Sequence, residues 1–190
     1  ASGDTYWTYA QKVMDVVTSS AQVIEDGFFV CGNHEHMNGS YSHEKNNTTK
    51  KYTDIGDFEE TEDYILYSVG AKSSSEEYSD SDISALSNYL QSKSTFKGPI
   101  FILGHYPLHC YNGKTGEDNG MHNGRAAAGT RKMIELLNQY PNTVFLWGHN
   151  HSDSKDDNYD EIFTKKIDDY DIKFTYAAAG CMSDSEYGNS

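Results

Sequence analysis

Gly148-His149-Asn150-His151 follows the apolar run Thr143-Val144-Phe145-Leu146-Trp147 and precedes the polar stretch Ser152-Asp153-Ser154-Lys155-Asp156-Asp157. The run starts after Pro141-Asn142 and reads as a buried strand. Two histidines one residue apart therefore sit where a core strand opens into a loop. In extended backbone, residues i and i+2 point the same way. Both imidazoles can then reach one metal ion, or take one each of two neighbouring ions. A solvated loop start would carry the same residues with no chemistry, so the pair gains meaning only from others like it. Two such strand ends exist. Gly27-Phe28-Phe29-Val30-Cys31 runs into Gly32-Asn33-His34-Glu35, and Pro99-Ile100-Phe101-Ile102-Leu103 runs into Gly104-His105. In α/β sheets, ligands bind beyond the carboxyl ends of the strands, so three glycine-histidine ends imply one shared site.

The elements that must position these ends alternate between strand and helix, which predicts an α/β fold. A helix is expected from Tyr9 to Ser19, with Val13, Met14, Val16 and Val17 on its apolar face. Residues 37–60 read as one long polar loop, followed by a strand over Tyr64–Val69. Ser81-Asp82 is a plausible cap for a helix to Lys93 that buries Ile83, Leu86, Tyr89 and Leu90. After a loop over 111–129, Gly129 or Thr130 caps a helix through Tyr140 that Pro141 stops. An acidic loop over 153–161 leads to a last strand, Ile172–Ala177.

Composition narrows the function classes. A chain of 190 residues can bury one sizeable core, and fifteen Tyr with eight Phe supply its bulk. A formal net charge of −14 argues against binding a nucleic-acid backbone. No apolar run is long enough to span a membrane, and the acidic, Tyr/Asn/Ser-rich surface leans to an extracellular, secreted setting. Cys31, Cys110 and Cys181 give no disulfide framework and are read as small buried filler. The sequons at Asn38, Asn46, Asn47 and Asn150 are read as chance matches in a Ser/Asn-rich chain.

Gly32-Asn33-His34-Glu35, Gly104-His105 and Gly148-His149-Asn150-His151, in that order and each at a strand end, resemble the calcineurin-like metallophosphoesterase superfamily. Its ordered signature is Asp-x-His, Gly-Asp, Gly-Asn-His-Asp/Glu, Gly-His and Gly-His-x-His. The resemblance spans residues 27 to 181. It implies a double β-sheet sandwich flanked by helices and a pair of metal ions about 3.5–4 Å apart. It further implies Asn33, His105 and His149 as ligands of one ion and His151 of the other, with iron, manganese and zinc all acceptable. A hydroxide bridging the ions would attack phosphorus, and His34 would assist the leaving group. Glu35 would steady a loop or an imidazole, and the substrate would be a small phosphoester.

Gly3-Asp4 stands at a reasonable distance before Asn33 for the Gly-Asp block, which makes Asp4 the expected bridging ligand. The metal-binding Tyr of the purple-acid-phosphatase-like members is replaced by Trp7, so that subgroup is not supported. The Asp-x-His block is missing. The expectation is thus a single domain over 1–190, incomplete at both ends, whose second ion has only Asp4 and His151 as ligands within this chain, too few to hold it well. The alternative is a catalytically incomplete fragment serving as a metal-binding or surface interaction module. His109, four residues after His105, is a candidate substrate-side residue, because Pro107 forbids the helix a zincin pair would need. Arg125 suits bidentate phosphate binding, with a surface role as the alternative. His36, His43 and His122 are read as solvated, and the Asp153–Glu161 acidic run as a solvated loop rather than a calcium site.

Overall fold

The computed structural model describes residues 28–30, 32, 52–53, 55–70, 77–109, 129–149, 162–167 and 169–179. The strands are β1 (Phe29–Val30), β2 (Tyr52–Thr53), β3 (Phe58–Glu60), β4 (Ile65–Val69), β5 (Ile100–Gly104), β6 (Thr143–Trp147), β7 (Ile162–Phe163), β8 (Lys166–Ile167), β9 (Tyr170–Asp171) and β10 (Thr175–Ala178). The helices are α1 (Asp80–Ser92), between β4 and β5, and α2 (Thr130–Leu137), between β5 and β6. Six strands form one sheet in the order β3-β4-β5-β6-β10-β7. Its four central strands are parallel, and β3 and β7 flank them antiparallel. This is the α/β class expected from the alternation of elements.

The central strands are apolar because both faces of a parallel sheet need cover. On one face, Ile65, Tyr67, Val69, Ile100, Ile102, Phe145, Trp147 and Tyr176 are buried. They join Leu86 and Leu90 of α1 and Met133, Ile134 and Leu137 of α2 in one cluster. Side chains of the opposite parity, Leu66, Phe101, Leu103, Val144, Leu146 and Ala177, are half-buried. Fully burying a leucine or isoleucine contributes about 1.5–3 kcal/mol, so the α1–α2 face dominates the stability of the described part.

Several boundaries differ from the sequence expectation. The long loop over 37–60 is interrupted by β2 and β3. β3 escapes pattern reading because all of Phe58-Glu59-Glu60 is exposed, and Phe58 instead lies against Tyr89 with ring centroids 4.8 Å apart. The cap of α1 is Ser79 rather than Ser81: its Oγ accepts the Asp82 N–H at 3.2 Å and donates to the Asp82 carboxylate. α2 ends at Leu137, before Pro141, where the Gln139 and Tyr140 N–H groups bond back three residues rather than four, and its C-cap is Asn138. Its Nδ2 donates to the Asp171 carbonyl at 2.9 Å and its Oδ1 accepts the Lys173 N–H at 2.7 Å. These two bonds join the end of α2 to 171–173, and the last strand starts at Thr175 instead of Ile172. The expected helix over 9–19 and the loops over 111–128 and 153–161 lie outside the described residues.

Gly129 takes φ +81° in front of α2, and a Cβ there would stand 2.1 Å from the Tyr78 carbonyl oxygen. Both the dihedral and the space demand glycine. Gly129→Ala is expected to lower stability by about 1–3 kcal/mol, read as an earlier midpoint in urea unfolding.

Candidate metal centre

β5 and β6 are parallel neighbours, with Leu103 opposite Leu146. Their pairing continues past the strand ends, where the Gly148 N–H donates to the His105 carbonyl at 3.1 Å. That bond sets the two glycine-histidine ends side by side. His149 Nδ1 then lies 3.1 Å from His105 Nε2, with the ring centroids 4.9 Å apart and the planes at 73°. Tyr106, fully buried, meets each imidazole edge-on at 4.9 Å and closes the group on one side.

Glycine would be expected to absorb any left-handed backbone at this strand end. The structure puts it on the histidine: His149 has φ +80°. An L-residue in that region costs about 1–2 kcal/mol, and such outliers gather where a site demands them. Here the left-handed turn swings the imidazole back onto His105. Gly148 meets nothing within 4 Å of a built Cβ among the described residues. Gly104 is glycine for another reason. A Cβ would come 2.5 Å from Phe145 Cζ and 2.9 Å from the Tyr78 hydroxyl.

Two ring nitrogens at this separation suit a shared proton, or a cation bound by both lone pairs. Cis ligands about 2.1 Å from an octahedral ion stand about 3.0 Å apart, so the spacing of His105 and His149 fits two ligands of one ion. Two imidazoles alone are too few, and no group of three or more His, Cys, Asp or Glu side chains is found among the described residues. The other expected ligands, Asp4, Asn33 and His151, lie outside the described residues, as do His34, Glu35 and Arg125. Gly32, which leads directly to Asn33, is described and buried just past β1. β1 itself pairs in parallel with β2, as a two-stranded sheet. The adjacency of glycine-histidine ends is therefore seen for two of the three.

His109 belongs to a neighbouring ring cluster. Its Nδ1 lies 2.7 Å from the Tyr176 hydroxyl, and its ring meets Trp147 edge-on at 4.9 Å. The Tyr176 oxygen also accepts the Leu108 N–H at 2.8 Å. Trp147, the last residue of β6, stacks on Tyr176 at 5.7 Å, so this cluster also sits at the carboxyl ends of the central strands. Tyr106 and Tyr176 were not singled out by sequence. The only signal for Tyr106 was its place directly after His105, and Tyr176 looked like any apolar strand residue.

Two motif-bearing strand ends thus lie side by side, with their imidazoles in contact. The model of the family described as calcineurin-like phosphoesterase matches residues 3–153, which include all the motif residues discussed above. The chain belongs to the calcineurin-like phosphoesterase family. The mixed α/β sheet with helices α1 and α2 fits a metallophosphoesterase. Comparison with curated proteins and with solved structures gives no match. Metallophosphoesterases hydrolyse phosphoesters and use divalent metal ions. No helix among the described residues is long and apolar enough to cross a membrane.

His149→Gly and His149→Ala remove the same imidazole but differ at the left-handed position. The glycine variant is expected to be more stable than the alanine variant by about 1 kcal/mol in urea unfolding, with both weakened in metal binding.

Proposed function

We propose that the chain hydrolyses phosphoesters at a two-metal centre beyond the carboxyl ends of β1, β5 and β6. The observation that carries this reading is the 3.1 Å contact of His149 with His105, made at the expense of a left-handed backbone at His149. Asn33, His105 and His149 would hold one ion and His151 the other, with Asp4 as a further ligand. When bound, the ions acidify water and offset the negative charge that builds on phosphorus. Neutral imidazoles and an amide oxygen leave most of the cations' charge uncancelled, which suits iron, manganese or zinc. That charge matters here, because a protein with a net −14 repels an anionic substrate unless the site supplies positive potential locally.

The remaining residues handle the substrate. His34 donates a proton to the departing oxygen, and Glu35 steadies the turn that carries it. Arg125 is suited to two phosphoryl oxygens at once. The half-buried apolar row of Leu66, Phe101, Leu103, Val144 and Leu146 supports a second layer over the sheet, as a double-sheet sandwich requires.

Hydrolysis of an aryl phosphate tests the reading. The chain loaded with Mn²⁺ should turn over, chelation should stop it, and Asn33→Ala should reduce it to the uncatalysed background. Elemental analysis should find about two ions per chain. One ion or none, without turnover, would replace this reading with that of a catalytically silent metal-binding module.

A further inference from the structure

Tyr78 belongs to no motif and is only 3% exposed, yet it touches each element that leads to His105. It directly precedes Ser79, the cap of α1. Its hydroxyl donates to the Tyr106 carbonyl at 2.5 Å, and its ring meets Phe145 of β6 edge-on at 6.1 Å. That hydroxyl also occupies the space a side chain at Gly104 would need, 2.9 Å from a built Cβ. Glycine before His105 is thus required by the close approach of Phe145 and Tyr78 together. At its other end, the Tyr78 carbonyl oxygen packs against Gly129, where α2 begins. One buried residue holds both ends of the segment that leaves the sheet after β5 and returns as α2.

We propose that Tyr78 is a positioning residue for the metal centre: its hydroxyl fixes the Tyr106–Pro107 peptide, one residue beyond His105, and so helps set the angle at which His105 meets His149. The proposal rests on the two-metal reading above. Successive carbonyls of this turn are tied down from two sides, that of His105 by the Gly148 N–H and that of Tyr106 by Tyr78. The backbone carrying the imidazole then has little freedom to rotate. Tyr106 packs against both imidazoles at 4.9 Å, so movement of its peptide reaches both ligands. Burial pushes the Tyr78 phenol well above its ordinary range, which favours the protonated, donating hydroxyl. Metal ligands held by such supporting hydrogen bonds lose affinity when the support is removed.

Titration calorimetry of Mn²⁺ into the metal-depleted full chain tests this, comparing wild type with Tyr78→Phe and Tyr89→Phe. Tyr89 is the control, since its hydroxyl bonds Glu60 at the surface, at 2.8 Å. Tyr78→Phe keeps the ring against Phe145 and is expected to bind Mn²⁺ about tenfold more weakly, while Tyr89→Phe binds as wild type does. Gly104→Ala, which keeps the hydroxyl but displaces it, should weaken binding in the same direction and serves if Tyr78→Phe does not fold. Equal Mn²⁺ affinity in wild type and Tyr78→Phe, with only a lower Tm, would overturn the proposal and leave the functional reading standing. Equal weakening in the Tyr89→Phe control would also overturn it. A wild type that takes up no Mn²⁺ would overturn both.

Discussion

The single hydrogen bond from the Gly148 N–H to the His105 carbonyl extends the β5–β6 pairing beyond the strands themselves. Beyond it, His105 and His149 stand in contact. Parallel pairing fixes which residue of β5 faces which residue of β6, and a slip of one position would turn each side chain to the opposite face. With Leu103 opposite Leu146, the two glycine-histidine ends arrive together. Buried Phe145, Ile102 and Tyr67 lock that register from the helix side, because their face has no room in solvent. Hydrophobic burial thereby determines how far apart two polar rings stand.

The site is held less by its own residues than by the aromatic groups behind it. Tyr78, Tyr106, Phe145, Trp147 and Tyr176 form a connected wall under the carboxyl ends of the central strands. Aromatic side chains give large contact areas for few rotatable bonds, and the tyrosine hydroxyls satisfy backbone groups that leave the sheet. Tyr176 does this for Leu108, and Tyr78 for Tyr106. A chain with modest aliphatic content and fifteen tyrosines uses them both as core and as braces for the loops above it.

The central strands and α1 were legible in the sequence because their apolar residues repeat at the strand or helix period, as Ile83, Leu86 and Leu90 do. The adjacency of His105 and His149 was legible too, since glycine followed by histidine recurs where apolar runs stop. Other features had no such signature. The left-handed His149 follows a glycine that would have been the natural place for it. The partner of Tyr78 is a backbone carbonyl, and every residue has one, so nothing in the sequence marks the contact. The side chain of Asn138, the C-cap of α2, meets Asp171 and Lys173, thirty-three and thirty-five residues away. Asp4, Asn33, His34, Glu35, Arg125 and His151 rest on sequence and family alone.

The outer strand β3 gives the sheet a particular border. An unpaired strand edge offers its backbone groups to any other chain, and proteins blunt such edges with charge and brevity. β3 is three residues long, entirely exposed, and carries Glu59 and Glu60 side by side. Glu60 is further fixed by Lys93 and by the Tyr89 hydroxyl, which hold its carboxyl below the usual carboxylate range. Its negative charge therefore persists into mildly acidic solution. Among the described residues, the sheet thus ends in a strand that is short, charged and tied to α1 through Lys93 and Tyr89.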